Sequence, residues 1–172
     1  MFERKAAMTD NRADHFFEQG AIVALTLLRV ALGGIMAMHG WAKLCDIQGT
    51  AQSFSLLGIP APEELVYLAI AGEFMGGLGL AAGLLTRVAA LGPACTMIVA
   101  ILVVHAGHGL FAKNGGYEYP LILLAASAFF AFNGAGPLSM DAMLERSARE
   151  RLSRAPRFRA QRFRAQLPSQ PL

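Results

Sequence analysis

The sequence predicts an all-α integral membrane protein, a four-helix bundle with both termini cytoplasmic. Three observations carry this expectation. The chain of 172 residues is 55% hydrophobic with a mean hydropathy of +0.44, more apolar than a soluble domain of this size. Four of its runs reach the roughly 20 residues that a helix needs to cross a bilayer core of about 30 Å. Only 16% of residues are charged, and two of them, Arg29 and Glu73, each stand alone near the middle of an apolar run. An ionised group in hydrocarbon costs roughly 3 kcal/mol, so such residues face a bundle interior and pair.

The elements follow in order. Residues 1–19 mix both charge signs and lack a small-residue cleavage site after a short apolar core, which suits a cytoplasmic arm, helical or disordered, and not a signal peptide. The first span is expected over 20–41. The connection after it, 42–64, is long for a hairpin and contains FSLLGIPAPEEL, so residues 52–59 suit a short helix on the outer surface. Pro62 and the Glu63–Glu64 pair fit the first turn of the second span, 65–85, by N-terminal preference and helix dipole.

Small residues crowd that second span. Gly72 with Gly76, and Gly79 with Gly83, have GxxxG spacing, and Gly33, Gly34, Ala37 and Gly40 do the same for the first span. This predicts close packing of spans one and two. The third span, 88–110, carries Gly92-Pro93 one turn in, where a kink is expected. The fourth, 117–136, ends at a turn followed by a helix capped by Ser139, with Asp141 in its first turn. The domain thus covers 20–136, and 137–172 form an Arg-rich tail whose RFRAQ repeat suits a disordered or surface-associated segment.

Charge sets the orientation. Arg4, Lys5 and Arg12 at one end, eight arginines from Arg146 to Arg164 at the other, and Arg87 between spans two and three all fall on one side, which the positive-inside rule assigns to the cytoplasm. The tail directly follows the last span, so its arginines point to topology and anionic lipid, with no nucleic-acid partner.

Rise along a helix converts position into depth. Counted from the expected span ends, Arg29 lies about 14 Å from the cytoplasmic face and Glu73 about 12 Å below the opposite one, which predicts an Arg29–Glu73 pair across adjacent antiparallel helices. That pair either locks the two spans or serves as a proton relay or headgroup site. His39, Lys43, His105, His108 and Glu118 collect by the same arithmetic at the outer rim. They form a pocket candidate for proton exchange with a quinol, for a metal or haem, or simply for solvation of helix ends. Cys45 and Cys95 fall about 20 Å apart along the membrane normal, too far for a disulfide.

The residues LLRVALGGIMAMHGWAKL at 27–44, FSLLGIPAP at 54–62, AGEFMGGLGLAAGLLTRVAA at 71–90, TMIVAILVVHAG at 96–107, GGYEYPLILLAAS at 115–127 and GAGPLSMD at 134–141 together resemble the DoxX family of small four-span membrane proteins. The family's Arg-then-HG-K pattern falls on Arg29, His39, Gly40 and Lys43, its second-span glutamate on Glu73 and its fourth-span glutamate on Glu118. The resemblance implies a bacterial cytoplasmic-membrane protein associated with oxidoreductase activity, through relatives that are subunits of a thiosulfate:quinone oxidoreductase. Fold-level kinship fixes topology better than chemistry.

The expected function is therefore a membrane subunit of a redox system, a quinone-linked oxidoreductase or an accessory to one. The catalytic candidates are Arg29, Glu73, His39 and His105. Lys43, His108 and Glu118 are the substrate-binding candidates, and no residue is assigned to a metal. No flavin, nicotinamide or iron–sulfur motif is encoded, so electrons need a partner protein or a quinone, with haem ranked behind the quinone. The partners expected are the lipid bilayer, soluble redox proteins and a second copy of the chain through its glycine faces. A small-solute or ion transporter and a scaffold that recruits redox proteins through the tail are the rival classes.

Overall fold

A computed structural model describes residues 2–165, with side chains for 17–153. Every regular element among the described residues is helical. Helix α1 spans Phe2–Cys45 without a break, so the N-terminal arm is a helical lead-in to the first span. After Asp46, whose carboxylate accepts from the Gly49 N–H, α2 runs over Ile47–Leu56. Helix α3 covers Pro62–Ala82 and α4 covers Thr86–His108. Following a short 3₁₀ turn at Ala112–Asn114, α5 spans Glu118–Asn133 and α6 spans Met140–Ala165.

Among the described residues, three helices are long and apolar enough to cross a membrane: Phe17–Cys45 within α1, then α3 and α4. Helix α5 is apolar but has 16 residues. Only 28%, 33% and 17% of the three apolar stretches are buried inside the protein; Leu27, Leu68, Leu102 and Ile122 are all more than 60% exposed. Outward-facing leucine and isoleucine on every helix is the pattern that a lipid solvent demands. The core is accordingly narrow, built from Leu32, Met36, Leu80, Ala90, Met97, Leu123 and Phe130.

Glycine sets the register. A Cβ on Gly33 would lie 2.4 Å from the Ala81 nitrogen, one on Gly77 the same distance from the Ala37 nitrogen, and one on Gly40 equally close to the Phe74 nitrogen. The backbones of α1 and α3 therefore touch along this seam. The expected α1–α3 packing is present, but its residues on α3 differ. Of the GxxxG members, Gly72, Gly76 and Gly79 meet Gly92, Ala89 and Pro93 of α4, and Gly83 meets the Arg29 side chain of α1 and Ser139, while Gly34 meets nothing. Gly77, one residue outside either GxxxG frame, is the glycine of α3 that meets the α1 backbone.

Two helices depart from α geometry. Helix α3 widens to a π turn at Ala71–Met75, and α4 does so at Ala100–His105. In α4 the helix is also interrupted at Ala90, four residues before Ala94 and three before Pro93, which has no N–H to return to Ala89. In the tail, α6 is helical as far as Ala165, one residue short of the end of the RFRAQ repeat. Residues 166–172 lie outside the described chain.

Candidate functional site

Glu73 is 4% exposed and sits inside the π turn of α3. Its partner is Lys43, whose Nζ donates to Oε2 at 2.5 Å. The expected Arg29–Glu73 pair does not form. The glycine seam explains why: with Gly40 against Phe74 and the Trp41 and Phe74 rings 5.9 Å apart, Glu73 lies level with the end of α1. Arg29 is 12 residues further along, about 18 Å away. Counting depth from guessed span ends put two distant levels together. A lysine near the helix end reaches inward instead, its methylene stem crossing apolar surface.

The Lys43–Glu73 pair forms part of the wall of a cavity of about 500 Å³. His39 and Lys43 come from α1, Glu73 and Gly72 from α3, Cys95 and His105 from α4, Tyr119 from α5, and Phe54, Leu57 and Ile59 close it from α2 and the loop after it. Most of the remaining lining is aliphatic, so the wall is apolar with a few polar groups, the usual composition of a small-molecule site. Both π turns contribute to it, through Glu73 and through Ala100 and His105. π segments inside α-helices occur frequently at functional sites.

His105 is oriented by its neighbour. Its Nδ1 lies 2.6 Å from the Gly115 carbonyl oxygen; a carbonyl can only accept, so Nδ1 carries the proton and, in the neutral ring, Nε2 keeps a free lone pair. Glu118 and His108 do not join the cavity. The Glu118 carboxylate turns away and accepts from the Ala112 N–H at 2.7 Å, and His108 packs beside Gly115. Of the seven predicted residues, His39, Lys43, Glu73 and His105 meet, and Arg29, His108 and Glu118 stand apart. Sequence reasoning missed Tyr119 and Cys95, which line the cavity without carrying a charge of their own. Cys45 and Cys95 are free thiols, as depth predicted. No group of three or more metal-ligating side chains occurs among the described residues.

Arg29 belongs to a second polar centre at the other end of the bundle. It is 2% exposed. Nη1 donates to the carbonyls of Leu80 at 2.6 Å and Ala81 at 3.0 Å, and Nη2 donates to Leu138 at 2.8 Å. These are the end carbonyls of α3 and the loop before α6, so the guanidinium caps one helix C-terminus and ties a second segment to it. Gly83, in the left-handed conformation at φ 68°, leaves room: a Cβ there would collide with the Arg29 guanidinium and with Ser139.

Asp141 completes this centre from α6. Its two carboxylate oxygens accept from the N–H groups of Leu85 at 2.7 Å and Thr86 at 3.0 Å, at the start of α4, and its own N–H donates to Gly83. Ser139 caps α6 as expected, its Oγ accepting from the Ala142 N–H. Burial alone would raise the Asp141 carboxyl, but the Thr86 and Leu85 N–H groups and the Arg29 charge outweigh it and hold the group below its ordinary value. A carboxyl lowered in the folded state stabilises above its unfolded value of about 4 and loses that contribution as pH falls through the folded value. Asp141→Asn should therefore cost about 1 kcal/mol at neutral pH, the worth of a helix cap. The difference from the parent should shrink below pH 4 in thermal unfolding followed in detergent. A difference independent of pH would contradict the assignment.

The fold and the site define a polytopic helical membrane protein with an apolar cavity and a buried ion pair. The DoxX family model matches residues 24–106. A Bacillus subtilis (strain 168) protein named "Putative oxidoreductase CatD" is 34% identical over 125 residues, covering 73% of this chain and 87% of that one. "Inner membrane protein YqjF" of Escherichia coli (strain K12) is 26% identical over 124 residues, covering 72% and 94%. A Haemophilus influenzae protein of unassigned function is 31% identical over 133 residues, covering 74% and 87%. No solved structure matches the chain significantly. The chain belongs to the DoxX family and is a protein of the bacterial inner membrane.

Proposed function

We propose that the protein is the quinone-binding membrane subunit of a redox system, with the ring held in the cavity beside Lys43 and Glu73. One observation carries the reading: a cavity of about 500 Å³ with a mostly aliphatic wall into which an ion pair and two histidines are set. The residues fit a quinone. Aliphatic walls from α3, α4 and α5 take a ring and the start of a tail, and Lys43, which spends one N–H on Glu73, keeps two for a ring oxygen. Quinones supply two-electron, two-proton chemistry. His105 Nε2, free to accept, and His39 hold or pass the protons, and Glu73 aims the Lys43 ammonium. The electrons go to or come from a partner protein, since no cofactor motif is encoded. The name of the Bacillus relative supports an oxidoreductase role.

In this reading α5 is the fourth span, the cavity opens near the outer face, and the arm 1–19 and tail 137–172 flank the domain 20–136 on the cytoplasmic side. The arginines of both ends support that orientation.

Trp41 is the only tryptophan and stacks near Phe74, next to Glu73, so a quinone in the cavity should quench its fluorescence. Titration of the purified protein with a decyl-substituted benzoquinone should give saturable quenching. The double variant Lys43→Met/Glu73→Leu removes both charges together, which buried pairs commonly tolerate, and should weaken binding about ten-fold or more, the loss of one charge-assisted hydrogen bond. Unsaturable quenching, or equal affinity in the double variant, would rule the site out.

A further inference from the structure

At the opposite end from the cavity, a groove of about 870 Å³ lies between the start of α4, the loop from Gly134 to Pro137 and the first turns of α6. Three arginines line it. Arg87 stands in the first turn of α4, and Arg146 and Arg149 are spaced i, i+3 on one face of α6. Two acids share the groove, but they are not equivalent. Both Asp141 oxygens are engaged by the Leu85 and Thr86 N–H groups, which leaves Glu145 against three guanidinium groups. The groove is therefore net cationic.

Its rim is apolar. Leu85 and Val88 are each 67% exposed and Leu144 is 58% exposed, and Val88 opens onto the outward face of a membrane-length helix. Gly134 adds a further element of fit: at φ 79° it has no side chain, and the Arg87 Nε lies 3.5 Å from where a Cβ would stand. Arg87 thus lies along the loop instead of extending away.

Guanidinium groups beside exposed leucine and valine, at the end of a spanning helix, match one chemistry: a phosphate joined to acyl chains. We infer that this groove binds the headgroup of an acidic glycerophospholipid, its phosphate on Arg87, Arg146 and Arg149 and its chains along Leu85 and Val88. Arginine suits this because its planar fork meets two phosphate oxygens at once. The site is independent of the cavity and of whatever occupies it.

The test is native mass spectrometry of the delipidated full-length protein, given equal phosphatidylglycerol and phosphatidylcholine. Phosphatidylglycerol adducts should exceed phosphatidylcholine by about five-fold or more, the worth of one arginine at a lipid surface. Arg87→Gln/Arg146→Gln/Arg149→Gln should bring the two lipids level. Arg154→Gln/Arg157→Gln/Arg159→Gln, which removes as much charge from later in the sequence, should leave the preference intact. Should the groove triple variant not fold, Arg146→Glu alone must still lower the preference. Equal adducts of both lipids in the parent, an equal loss in the two triple variants, or full displacement of the lipid by millimolar sodium phosphate would each overturn the proposal.

Discussion

Arg29→Ala is expected to cost roughly 3 kcal/mol or more, enough to deplete folded protein in the membrane. Three carbonyl oxygens lose a charged donor at once, and the side chain that provides it is almost fully buried. Leu80 retains a bond from the Gly83 N–H, so the heaviest loss falls on Ala81 and Leu138. Arg29→Lys should recover only part, because a single ammonium lacks the fork that reaches α3 and the loop before α6 together. The check is the unfolding midpoint by size exclusion after heating in detergent. Adding Glu73→Gln should bring no recovery, since Glu73 answers to Lys43. Recovery in that double variant would restore the pairing that depth arithmetic suggested.

The second large effect lies on the glycine seam. In Gly77→Val the new side chain must enter space within 2.4 Å of the Ala37 nitrogen and 2.7 Å of the Gly33 oxygen. Both neighbours are backbone and neither can rotate aside, so α1 and α3 must separate. Overpacking of this kind costs about 3 kcal/mol or more. Gly34→Ala, one residue from Gly33, meets nothing within 4 Å, and removing a flexible helix glycine there should leave stability unchanged or raised by up to about 1 kcal/mol. Equal losses in the two variants would show that general helix flexibility matters and the seam does not.

Much of the architecture was legible because bilayer thickness imposes it. Apolar run lengths gave three of the four expected spans, Pro62 with Glu63 and Glu64 marked the start of α3, and Ser139 marked α6. The anomalous charges were correctly singled out as buried. Their partners were not, because pairing depends on register, and register here is set by which glycines touch. Composition shows that glycine is abundant without showing which face each one occupies. Gly76 and Gly77 are adjacent, yet one meets α4 and the other α1. The histidine cluster divided as well: His105 lines the cavity, whereas His108, in the 3₁₀ turn at Ala106–His108, packs beside Gly115 instead. Glu118 was claimed by the backbone of the preceding loop, a local demand that no hydropathy pattern records.

The π turn at Ala71–Met75 divides α3 into two stretches. Such a turn holds one residue beyond an α turn, and one residue advances the helix by about 100°. The stretch before it and the stretch after it are therefore out of phase, and Glu73 stands at the join. Deleting any single residue from 71–75 would restore an unbroken helix that is perfectly acceptable as a membrane span. It would also swing Gly77 off Gly33 and carry Lys43's partner away from the cavity. The Lys43–Glu73 pair thus depends on a π turn that a membrane span does not require, and a chain without it would keep its hydropathy while losing the pair.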